Sequence, residues 1–263
     1  MGTSKSYGSP KWPGVNDQVG DAISDGFPTK EKVTSAVSAF AGAYKRFINT
    51  GTTGRAGSVS GAISSDGRAL GGRGGGGGAT ARTRAAASGA RLGHFLSSAA
   101  GSGLSHATER LGLGDLAGRP LEEVLDAILD RLCENGGLLD DSALTEAMAR
   151  TLDELSEGAE TLEEFDELLT ARAENLEEYL QIYFSNVLAM NFEKKEGGFV
   201  RGKIPQEECD RFFQEARELI RTLVNEELSQ ERDLASIDWG SSEAVAIADE
   251  INQEVLDILI GDE

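Results

Sequence analysis

The strongest constraint on this chain is the spacing of its apolar residues beyond position 113. Leu121, Val124, Leu125, Ile128, Leu129 and Leu132 recur at intervals of three and four, the period that lines one face of an α-helix. Pro120 suits the first helical position, and Asn135-Gly136-Gly137 ends the run. The same period returns four more times. Leu144, Ala147, Met148, Thr151, Leu152 and Leu155 form a stripe that Asp141 is placed to cap and Gly158 to stop. Thr161 and Glu164 compose a capping box before Leu162, Phe165, Leu168, Leu169, Leu176, Tyr179, Leu180 and Tyr183, predicting one long helix that reaches Met190. A loop is expected over 193–203, where Gly197-Gly198 and Gly202 fall. Pro205 then opens a helix through Phe212, Phe213, Ala216, Leu219, Ile220, Leu223, Val224 and Leu228, and a last one runs from Ser242 to Ile260, closed by Gly261. No segment alternates with period two for long. The expected fold class is therefore all-α, with a C-terminal bundle of about five helices over residues 113–263.

Charge divides the chain at the same place. Residues 1–112 carry 13 Lys and Arg against 6 Asp and Glu (+7), and residues 113–263 carry 12 against 39 (−27), giving the formal −20 of the whole. The acidic part should repel nucleic acid and anionic membrane. Cys133 and Cys209 lie far apart in helical patterns, which predicts free thiols acting as small hydrophobes. No apolar run approaches the length of a membrane span, and no signal-peptide core opens the chain. A soluble, cytoplasmic protein is expected.

The N-terminal part has a different texture. Residues 1–27 mix Gly, Ser, Pro and Asp with the isolated aromatics Tyr7, Trp12 and Phe27, and read as an extended, flexible tail. Within 28–50, Val33, Val37, Phe40, Tyr44 and Phe47 predict a helix from Thr29 to Asn49. Residues 51–112 form a basic Gly/Arg-rich low-complexity region, expected to be largely disordered, with Gly74–Gly78 as a flexible linker. Short helices over 79–90 and 91–111 are drawn only weakly by Leu92, Phe95, Leu96, Leu104 and Leu111. Arg55, Arg73, Arg82 and Arg84 are candidates for weak polyanion contacts. Phe95 is the only aromatic between Gly51 and Gly114, so stacking platforms for bases are missing. A structural or nucleic-acid-binding adaptor acting through this region is the alternative function.

Catalytic signatures are missing. The glycine run lacks the Lys-Ser/Thr of a P-loop, and no G-x-S-x-G elbow or Glu-x-x-His pair occurs. His94 and His106 have no metal-ligand partner at useful spacing. The expectation is a chain that is not an enzyme and holds no cofactor or metal. The opening Met1-Gly2-Thr3-Ser4-Lys5-Ser6-Tyr7-Gly8-Ser9-Pro10 offers something else. Gly2 permits initiator-methionine removal, and its α-amine, with a pKa of about 7.7–8.0, is partly unprotonated at neutral pH. Read this way, the tail is a handle for another protein's active site.

Several stretches together resemble the QatB family of the bacterial Qat antiphage defence system. They are the opening Met1-Gly2-Thr3-Ser4 with Tyr7-Gly8-Ser9-Pro10, the Arg/Gly/Ala stretch leading into Arg91-Leu92-Gly93-His94-Phe95-Leu96, and the run from Leu111-Gly112-Leu113-Gly114-Asp115-Leu116 through Ala117-Gly118-Arg119-Pro120 to Val124, followed by Gly136-Gly137. They cover about the first 150 residues; Ser9 stands where the pattern has glycine. The resemblance implies a component that works beside an ATPase, a QueC-like enzyme and a TatD-like nuclease. It further implies that the QueC-like enzyme conjugates a deazaguanine to the amine of Gly2, with Thr3, Ser4, Ser6, Tyr7, Gly8 and Pro10 docking in that partner's channel.

Overall fold

The computed structural model describes residues 14–24, 29–49, 77–114, 116, 118–134, 142–171, 175–227, 234 and 237–261. They form α1 (Val15–Ser24), α2 (Lys30–Asn49), α3 (Gly77–Ser102), α4 (Leu104–Arg110), α5 (Leu121–Glu134), α6 (Ser142–Leu155), α7 (Leu162–Ala171), α8 (Leu176–Arg201), α9 (Gln206–Glu227) and α10 (Ser242–Ile260). No strand occurs among the described residues. The protein is all-α. Where the periodic stripes were clear, their helices appear nearly as expected: α2, α5, α6, α9 and α10. The capping box is formed, with Glu164 N donating to Thr161 Oγ1 at 3.2 Å and Thr161 N to a Glu164 carboxylate oxygen at 3.3 Å.

The central helix is α8. From Tyr179 to Met190 every residue is buried, the mark of a helix packed on all sides. It touches α6, α9, α3, α10 and α1. A hydrophobic core of this kind stabilises by roughly 1.5–3 kcal/mol per large side chain fully removed from water. Phe192 joins helices at one point of that core, its ring centroid 5.0 Å from Phe40 of α2 and 5.5 Å from Phe213 of α9.

Four expectations need correction. The single long helix after Thr161 is two, α7 and α8, with residues 172–174 outside the description. The loop expected over 193–203 is mostly helix, because α8 continues to Arg201. Each glycine in a helix costs up to about 1 kcal/mol relative to alanine, but burial of Phe192 and Val200 holds the turn that carries Gly197 and Gly198. Part of the expected extended tail is α1, whose Val15, Val19, Ala22 and Ile23 are buried. It forms an antiparallel hairpin with α2, marked by Ser35 Oγ donating to Gln18 Oε1 at 2.7 Å. Residues 1–13 lie outside the described residues.

The fourth correction is the largest. The region expected to be largely disordered, with only short helices over 79–90 and 91–111, contributes the 26-residue α3 and then α4. Among the described residues beyond 113, six helices, α5 to α10, stand where about five were expected. Gly77 and Gly78, part of the expected flexible linker, open α3, while Gly74–Gly76 lie outside the described residues. This helix packs against α10, α2, α8, α4 and α7. Its small residues are what allow it: Ala85, Ala86, Ser88, Gly89, Ala90, Gly93 and Ala99 are buried. A Cβ at Gly89 would stand 2.6 Å from Cζ of Phe184, and one at Gly93 would stand 2.6 Å from Cζ3 of Trp239.

That geometry sets an opposed pair of outcomes along one helix. Gly93→Ala should lower stability by about 1–2 kcal/mol, since overpacking against Trp239 exceeds the propensity gain of about 1 kcal/mol. Gly101→Ala, in the same helix with nothing within 4 Å of the new Cβ, should leave stability unchanged or raise it by up to about 1 kcal/mol. Urea unfolding midpoints of the two variants decide it; equal shifts would rule out the close approach.

Candidate functional site

A groove of about 450 Å³ opens to solvent between α4, the segment after it and the start of α7. Its construction begins with Gly103, which precedes α4 at φ +85° and has no side chain with which to cap it. The first N–H groups of a helix need an acceptor. Asp166 of α7 supplies one, its Oδ1 accepting from Leu104 N at 2.6 Å. The groove's two helical walls are thereby tied together by a charge-assisted bond.

At the other end of α4, Gly112 N donates to Glu109 O at 2.8 Å and Leu113 N to Thr108 O at 3.1 Å. This is the paired pattern of a Schellman motif, and it demands the left-handed φ of +75° seen at Gly112. Arg131 of α5 adds a bond of 3.4 Å to the Gly112 carbonyl. The chain is thus turned so that Gly114 and Leu116 reach the groove. Leu104, Leu116 and Leu162 give it an apolar lining; Glu109 and Glu163, both exposed, and Asp166, half-exposed, give it three carboxylates. None of the described lining residues is cationic.

None of the site residues expected from the sequence is among the described residues that line the groove. Gly2, Thr3, Ser4, Ser6, Tyr7, Gly8, Pro10, Arg55 and Arg73 are outside the described residues. Arg82 and Arg84 sit near the start of α3, both half-buried. Arg82 Nε donates to Asp249 Oδ1 at 2.7 Å and Oδ2 at 3.0 Å, and its Nη1 donates to Asn49 Oδ1, so its guanidinium ties α3 to α10 and α2. The bonds to Asp249 raise its pKa further. His94 is half-buried on α3, with burial and then Arg110 lowering its pKa while Asp238 opposes them. His106 is exposed on α4. Cys133 and Cys209 are free and buried, and burial raises both thiols.

A family model described as Qat anti-phage system associated protein QatB matches residues 74–259. The chain belongs to the QatB family. No curated protein and no solved structure matches it. The matched span starts just before α3 and ends in the last turn of α10, so the QatB match takes in every residue of the groove and reaches beyond the first 150 residues on which the sequence resemblance rested. Membership places the chain in Qat antiphage defence, among partners of the same system. Among the described residues no helix is long and apolar enough to cross a membrane.

The groove was not foreseen from the sequence, although one of its signals was readable. A glycine just past the last periodic residue, as in Leu111-Gly112, is a helix stop. The reach of Asp166 across 62 positions to Leu104 has no local signature. Asp166→Ala should cost about 1 kcal/mol of stability through the uncapped start of α4, and Asp166→Asn, which keeps an acceptor oxygen, clearly less. Chemical denaturation of both variants tests this, and equal losses would contradict the capping role.

Proposed function

We propose that this QatB-family chain is a non-enzymatic component of Qat defence that serves as a protein substrate. The amine of Gly2, freed by loss of Met1, is presented to a QueC-like partner enzyme and conjugated there with a deazaguanine. The partner supplies ATP-dependent activation; this chain supplies the nucleophile. A terminal glycine suits that task because it has no side chain to obstruct a narrow channel, and its amine is less basic than that of lysine. Thr3, Ser4, Ser6, Tyr7, Gly8 and Pro10 follow the acceptor into the partner's site.

The observation that carries this reading is the opening Met1-Gly2-Thr3-Ser4 in a chain whose body belongs to the QatB family. The described residues support it in one respect. Val15 and Val19 of α1 are buried, so whatever precedes Gly14 departs from a firmly anchored point on the helical body. The ATPase and the TatD-like nuclease belong to the same reading as further partners.

Intact mass spectrometry of the full chain, expressed with and without the QueC-like enzyme, tests the proposal. The expected result is an added heterocycle that depends on the enzyme and vanishes in Gly2→Pro. An unchanged mass in the presence of the active enzyme would overturn it.

A further inference from the structure

We infer that the groove between α4 and α7 is a docking site for a basic segment of a partner protein, one that sets a bulky apolar side chain between lysines or arginines. The size admits such an occupant: about 450 Å³ lies within the roughly 300–1,000 Å³ of ligand-binding clefts. Its chemistry excludes most others. Leu104, Leu116 and Leu162 form the apolar lining, while Glu109 stands on α4 and Glu163 and Asp166 on α7. A wholly apolar occupant would strip water from three carboxylates without replacing it, which is costly. Phosphates, nucleotides and nucleic acid would meet like charge from both walls, with no cation among the described lining residues to offset it.

An occupant that pairs with both walls must carry positive charge on both flanks of its apolar centre. A linear stretch of chain does this naturally, whereas a compact cation does not. The residues from position 113 onward also carry 39 acidic against 12 basic side chains, a net charge that would draw a basic partner toward the protein before contact. The inference is independent of any modification at Gly2, since it concerns only α4, α7 and the turn joining α4 to α5.

Fluorescence anisotropy on the full chain tests it, with a labelled, end-blocked peptide Lys-Arg-Leu-Leu-Lys-Arg as the probe and Lys-Arg-Ser-Ser-Lys-Arg as its polar counterpart. Saturable binding of the leucine peptide is expected, with the serine peptide weaker. The charge reversal Glu109→Lys with Glu163→Lys should reduce affinity by about tenfold or more. Ser105→Trp, an exposed position on the groove wall, should block the site sterically without changing charge. Glu226→Lys with Glu250→Lys makes the same change in net charge on exposed positions of α9 and α10, outside the groove, and should alter affinity far less. Circular dichroism confirms that each variant retains its helices; should the tryptophan variant misfold, the two charge pairs still decide the outcome. Absence of saturable binding, equal binding of the two peptides, or equal losses from the two charge pairs would each overturn the inference.

Discussion

The structure depends on how closely α3 can approach its neighbours. Gly89 and Gly93 lie one turn apart on the same face, and aromatic rings fill the space that their missing side chains leave. Phe184 of α8 occupies one position and Trp239 the other. Trp239 is buried, and its indole Nε1 donates to Leu234 O at 3.1 Å, so this large side chain enters the core without stranding its polar atom. Dispersion at such short separations is collectively large. Alanines at 85, 86, 90 and 99 extend the same seam. A helix of ordinary bulky residues would hold the neighbouring elements further apart.

Polar ties fix how the elements meet around that seam. Arg82 joins α3 to Asp249 of α10 and Asn49 of α2, and Lys45 joins α2 to Asp257 of α10. On the other side of α8, Asn186 donates to Thr151 Oγ1 and Glu154 Oε1, both at 3.2 Å, and Glu154 also accepts from Arg221 of α9. Apolar burial favours compaction in many arrangements; directional bonds such as these select one of them. The groove wall is selected in the same way by Asp166 and Leu104.

The legibility of the sequence followed the strength of its periodicity. In α5, α6 and α9 the large apolar residues recur every three or four positions and stand out against acidic ones, so their helices were evident. In α3 the residues buried before Leu92 are Ala, Gly and Ser, which carry almost no hydropathy contrast, and the adjoining glycine run argued for a linker. Composition there described a packing device as disorder. In α8 the helix was legible as far as Met190, although burial runs all round it from Tyr179. What misled was Gly197-Gly198 and Gly202, whose composition argued for a loop where α8 continues to Arg201. The groove was opaque for a different reason. It joins Glu109 to Glu163 and Asp166 through tertiary contact alone, and no local pattern foretells such a meeting.

The functional reading places a reactive terminus on a body whose rigidity comes from the α3 seam, so the seam is the claim to test. Native-state hydrogen exchange on the full chain is the direct measurement, because it reports the opening free energy of each helix separately. The account predicts that amides of α3 between Ala85 and Leu96 exchange as slowly as those of the buried part of α8, only on global unfolding. Rapid exchange throughout α3 while α8 remains protected would contradict it, and would return that stretch to the status of a loosely attached leader.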